Sequence, residues 1–185
     1  MTTSLIGARS TELYEAFRRA GKIKAVRDDF SPKTAAIHEA GHGVATYRLG
    51  GQVRIIEIAQ RQTDRRGWVI GRSRMVWRPS ATVAQMVMGL LAGPIAHLRV
   101  DTSDGGLVFI RDDRNDINRL IEATCAVDGK HDIAREAEWR AQMPALIEHT
   151  TVLVEENWRS IEKVAEVLLV RKHLTGSQFL KALRS

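Results

Sequence analysis

The string His38-Glu39-Ala40-Gly41-His42 carries the residue types and spacing best suited to chemistry in this chain. Two histidines four residues apart on a helix differ by about 40° around its axis, so both imidazoles can converge on one divalent ion. Glu39 then stands beside that ion. Its carboxylate can take a proton from water the ion acidifies and later return it to a leaving amine. The order of ligand, base and ligand suits hydrolysis of a peptide bond with one zinc per chain. Such a string works only on a helix, and the surrounding residues read as one amphipathic helix. Ser31-Pro32 supplies a cap followed by proline at the first helical position, and Ala35, Ile37, Ala40, Val44, Ala45 and Leu49 recur at helical spacing. Gly50-Gly51 ends it. Gly41 and Gly43 each cost roughly 1 kcal/mol against alanine inside a helix, which points to close approach of a backbone or ligand there.

A catalytic zinc takes three protein ligands and keeps one position open, so a third His, Asp or Glu must come from elsewhere. The extended form with a second glycine and a third histidine fails, because Ala45 and Arg48 occupy those places. Candidates are His97, Asp101, Asp104, Asp112, Asp113, Asp116, Glu122 and His131. The residues from Asp112 to Val127 read as a helix with acidic residues in its first turn, where the dipole favours them. Asp112 and Asp113 then read as solvated caps. Asp116 shares a face with Leu120, Ala123 and Val127, and a carboxylate on a buried face needs a cation or several hydrogen bonds.

Three strings taken together resemble the peptidase domain of FtsH-type zinc metallopeptidases: Ala36-Ile37-His38-Glu39-Ala40-Gly41-His42-Gly43, then Leu91-Ala92-Gly93-Pro94-Ile95-Ala96, then Arg114-Asn115-Asp116-Ile117. The likeness runs from about Ser31 to Leu180 and includes Glu155-Glu156-Asn157-Trp158 near the end. It implies a zinc metalloendopeptidase with His38, His42 and Asp116 as ligands and Glu39 as general base. That family joins its peptidase domain to a membrane segment and an ATPase. Here no Gly-x-x-x-x-Gly-Lys-Ser/Thr phosphate loop occurs, and the most apolar run, Met86 to Leu98, is too short to span a bilayer and reads as a core helix. Unstructured polypeptides, or substrates delivered by a separate ATPase unfoldase, are the implied targets. A zinc-binding relative without turnover, acting as a regulator, is the alternative within the same likeness.

Length and composition fit a single-domain, mainly α chain with a small β-hairpin (α+β), built as a His-Glu-x-x-His metallopeptidase-like helical fold over residues 31–185. The 185 residues with 44% hydrophobic content can bury a core without disulfide staples. Residues 1–30 form an extension, with a short helix expected over Thr11 to Ala20 and a charged connector after it. Cys125, the lone cysteine, reads as a buried, inert thiol. No signal peptide is evident, so a cytoplasmic location is expected.

Val53 to Ile58 and Trp68-Val69-Ile70 form a hairpin across Asp64-Arg65-Arg66-Gly67. An exposed strand edge beside a metal can hold substrate as one more strand. Further helices are expected over Ser80 to Arg99, Asp112 to Val127 and Pro144 to Lys172, with Asp101 to Phe109 as a loop. On the last helix Ile147, Val154, Ile161 and Leu168 repeat every seven residues, the stripe of a helix packed within the chain. Thr175-Gly176-Ser177-Gln178 resembles a capping box opening a terminal helix. Charge supplies a rival function. The net charge is +6, and Arg54, Arg61, Arg65, Arg66, Arg72, Arg74 and Arg78, with Trp68 and Trp77 among them, face only Glu57 and Asp64. That composition suits nucleic-acid binding, although a solvated basic face is the simpler reading. Sequence alone leaves the oligomeric state open.

Overall fold

The Ser31 hydroxyl accepts the amide of Thr34 at 3.1 Å, and Pro32 follows in the first turn, so helix α1 spans Pro32–Arg48. The structure, a computed structural model, describes residues 31–63, 66–101, 104–127 and 130–185; for 60–63, 66–70, 104–112 and 127 it describes the backbone alone. The helix expected over Thr11 to Ala20 lies outside the described residues.

α1 is not amphipathic. Every residue from Thr34 to Thr46 is buried, because neighbours pack around the whole circumference of this element. Its small residues make that possible. A Cβ at Gly41 would lie 2.7 Å from the Ala92 carbonyl oxygen and 2.9 Å from Ala96 Cβ, so the two helices approach more closely than a side chain allows.

The hairpin is longer than expected. β1 (Gln52–Thr63) pairs antiparallel with β2 (Arg66–Val76), and a register shift between Val53 and Ile55 puts two residues where one would stand. That bulge lets Val53, Ile56 and Ile58 all reach the core while Arg54 stays exposed. Helix α2 (Val83–Val100) opens with a capping box between Thr82 and Gln85. It is the one described helix long and apolar enough to cross a membrane by length and composition. Val87, Leu91, Ala92, Ile95 and Ala96 bury it in the core instead.

Helix α3 (Asp104–Cys125) begins well before the expected start at Asp112, so the segment read as a loop is helical from Asp104. Gly105 and Gly106 fall in its first turn, where a helix tolerates them more readily than in its interior. β3 (Ala126–Val127) and β4 (Lys130–His131) form a short antiparallel pair. The single long helix is in fact two: α4 (Ile133–Glu156) and α5 (Trp158–Arg171). α4 starts early because Asp132 Oδ1 accepts the Arg135 amide at 3.0 Å, and Pro144 sits inside it. Asn157 breaks the run by turning its side chain on the backbone, with Nδ2 donating to the Leu153 carbonyl at 2.9 Å and Oδ1 accepting from Arg48 Nε at 2.7 Å. The seven-residue stripe survives the break, and Ile147, Val154, Ile161 and Leu168 are all buried within the chain.

β5 (His173–Thr175) joins the free side of β1, giving an antiparallel sheet of order β2-β1-β5. Three residues were too few to register as a strand. Thr175 also caps helix α6 (Gly176–Arg184) through the expected box with Gln178. The architecture is α-dominated α+β, with α1 enclosed between the sheet and the helices and β2 as the long sheet edge.

Candidate metal centre

His38 and His42 lie one turn apart on α1, and their Nε2 atoms are 3.0 Å from each other. The third group is Asp113 from α3. Its Oδ2 is 3.1 Å from His38 Nε2 and its Oδ1 is 3.2 Å from His42 Nε2. Zinc bound at about 2.0–2.1 Å in a tetrahedral site holds its ligand atoms about 3.3 Å apart, so the three donors already stand close to the spacing such an ion imposes. Their chemistry points the same way. His42 Nδ1 lies 2.9 Å from the Gly89 carbonyl oxygen, a partner that can only accept, so Nδ1 donates, and the neutral ring turns its Nε2 lone pair towards His38 and Asp113. Lone pairs and a carboxylate gathered in a buried place repel unless a cation joins them. The group of His38, His42 and Asp113 can hold a metal ion.

Titration of the ion-free group tells of the same field. Burial opposes a charged His42, yet the Asp113 carboxylate, Glu39 and the Gly89 carbonyl outweigh it and push its pKa up to about 9. Burial would raise Asp113, but the two imidazoles hold it well below the usual carboxylate range.

Asp116 does not join the cluster, which corrects the expectation that it is the third ligand. It lines the same cleft, but its side chain is 56% exposed and pairs with Arg119 at 3.0 Å, whereas Asp113 is 14% exposed. The error was one of helical phase. The buried stripe of α3 is Ile117, Ile121 and Cys125, which continues back to Asp113 by steps of four; the expected stripe through Ala123 is solvent-facing. With the helix starting at Asp104, Asp113 is an interior residue of α3 and not a cap. Among the other candidates, Glu122 is exposed, Asp101 caps the end of α2, and His131 pairs with Glu136 at 2.6 Å. His97 is buried against the site, its ring 5.8 Å from that of His38. Burial first, and then the His38 charge, lower its pKa to about 3. The side chains of Asp104 and Asp112 lie outside the described residues.

Glu39 is buried, and desolvation is the main cause that raises its pKa, opposed by the two metal-site imidazoles and a hydrogen bond from Ser73. Sequence reasoning singled out neither Ser73 nor Gly71. A Cβ at Gly71 would collide with the Glu39 carboxylate, and one at Gly93 would collide with His42 Nε2. β2 and α2 therefore press bare backbone onto the base and the ligand. The cleft beside them holds about 250 Å³ and is walled by Met75, Trp77, Met86 and Leu90. Trp77 thus turns inward, away from the exposed Arg72, Arg74 and Arg78 with which it alternates in sequence.

No protein-family model matches the chain, and a search of curated proteins returns no match.

Proposed function

We propose that the protein is a zinc-dependent metalloendopeptidase acting on unstructured polypeptide. The observation that carries the reading is the triangle of His38, His42 and Asp113 with the Glu39 carboxylate beside it on the same helix. The likeness to FtsH-type peptidases in the two strings around His38 and Leu91 supports it, although Asp113 stands where that likeness implies Asp116. Zinc at this donor set supplies Lewis-acid chemistry, acidifying water and polarising a carbonyl.

Glu39 takes the proton from the attacking water and passes it to the amide nitrogen as the peptide bond breaks. The burial around it disfavours the ionised carboxylate, which helps it to hold the proton it collects. The Ser73 hydrogen bond and the bare backbone of Gly71 fix the carboxylate towards the metal site. β2 is the sheet edge beside the cleft, so an extended peptide can add to it as a further strand, while Met75, Trp77, Met86 and Leu90 receive an apolar side chain. A cleft of about 250 Å³ suits an extended peptide better than a folded domain, and a separate unfoldase would supply folded substrates in that form.

The test compares wild type with Glu39→Gln for zinc content and for cleavage of casein. One zinc per chain in both, with cleavage in wild type alone, supports the reading. Zinc in both with cleavage in neither favours a zinc-binding regulator, and failure of wild type to take up zinc removes the metallopeptidase reading.

A further inference from the structure

A second cleft lies where the end of α1, the start of β1, the segment after β2 and the start of α6 meet. It encloses about 660 Å³ and shares no lining residue with the metal centre. Arg48, Arg54 and Arg78 line it, from three separate parts of the chain, and no lining residue is acidic. Arg54 and Arg78 have no carboxylate partner among the described residues. Arg48 is oriented through Nε by the neutral Asn157 side chain at 2.7 Å, a contact that positions the guanidinium and leaves its charge uncompensated. Three like charges facing one concavity repel each other, and a polyanion removes that repulsion.

The form of the cleft narrows the anion. Guanidinium groups present forked donors that match phosphate oxygens in pairs. Gly176 opens α6 on the cleft wall; the Thr175 hydroxyl takes the Gln178 amide, while the amides of Gly176 and Ser177 have no acceptor within the helix and add a partial positive charge. Tyr47 and Leu180, both half-buried, supply an apolar side. The volume falls within the range of about 300–1,000 Å³ that holds small molecules, too confined for a duplex yet larger than inorganic phosphate needs. We propose that this cleft binds a phosphorylated small molecule of nucleotide size, its phosphates among Arg48, Arg54 and Arg78 and its organic part against Tyr47 and Leu180.

Calorimetric titration of the zinc-loaded chain with ADP, and with adenosine as the uncharged control, tests this. ADP should bind saturably with one molecule per chain, and adenosine should bind at least about tenfold more weakly. Arg54→Glu with Arg78→Glu should weaken ADP at least about tenfold, and Arg54→Gln with Arg78→Gln should do so to a lesser degree. Arg72→Glu with Arg74→Glu makes the same charge change on exposed residues outside the cleft, and should leave ADP binding within about threefold of wild type. No saturation by about 1 mM ADP, equal binding of adenosine, or equal losses in the two glutamate pairs overturns the proposal.

Discussion

Asp113 and Asp116 sit three residues apart on one helix and line one cleft, yet their replacement by alanine should have very different consequences for zinc. Asp113 touches both imidazoles at 3.1 and 3.2 Å. Structural zinc sites with four protein ligands bind with about 10–16 kcal/mol, so one ligand is worth about 3 kcal/mol, or roughly 10²-fold in Kd. Asp116 is 56% exposed and its one ion pair among the described residues is to Arg119. Exposed pairs are worth about 0.2–1 kcal/mol, which sets a ceiling of roughly fivefold on an indirect effect. Competition with a chromophoric chelator measures both constants. Asp113→Asn, nearly the same shape, separates loss of a ligand from loss of packing, and circular dichroism checks that each variant is folded. Equal losses for the two positions, or zinc retained by Asp113→Ala and shed by Asp116→Ala, would refute the assignment.

Gly93→Ala and Gly71→Ala should part binding from catalysis. The first places a methyl against His42 Nε2 and should abolish zinc uptake, while the second displaces Glu39 and should keep the zinc but lower kcat, each at about 1–3 kcal/mol of stability. Glu39→Gln should raise the Tm of the metal-free chain at neutral pH. The folded pKa of Glu39 lies above its ordinary 4.5, so its contribution is most favourable below that value and is lost as pH rises; the gap between wild type and variant should therefore close below about pH 4.5. His97 has the opposite linkage. Its pKa is lowered from 6.5 to about 3, so it supports the fold above pH 6.5 and withdraws that support on acidification, with a slope of at most about 1.4 kcal/mol per pH unit. His97→Gln should flatten the fall in denaturant midpoint between pH 6.5 and pH 3, and an unchanged slope would show that other groups set it.

The helix bearing His38 and His42 was legible because its cap, its proline and its terminal glycines are local signals, and the α6 capping box was legible for the same reason. What escaped was set by distant contacts. Ile55 and Ile56 compete for the inward position of β1 until the bulge decides, and that bulge depends on pairing with β2. β5 is strand only because β1 offers it a partner. Asn157 is an ordinary helix residue by propensity, and it breaks the run between α4 and α5 in contact with Arg48, more than a hundred positions away. The third ligand failed because α3 begins at Asp104 and not at Asp112, which makes Asp113 an interior residue where a solvated cap was expected. A helix turns about 100° per residue, so assigning the buried face to Asp116 instead of Asp113 rotates the chosen carboxylate by roughly 60° off the metal axis.

That rotation also shows how the centre is held together. α1 supplies two ligands whose relative placement its own geometry guarantees, whereas Asp113 reaches them only if α3 packs with the right phase. The phase is enforced by Ile117, Ile121 and Cys125 in the core beyond it. On the far side, Gly89 of α2 orients His42 and Gly93 makes room for its ring. α2 packed on α1, and α3 packed on α2, thus position the donors before any ion arrives, so little chain entropy remains to be lost on binding. Burying Glu39 against its charge works against folding stability at neutral pH without the ion. Zinc that binds the folded chain alone then stabilises it by mass action, and the centre and the core should gain or lose order together.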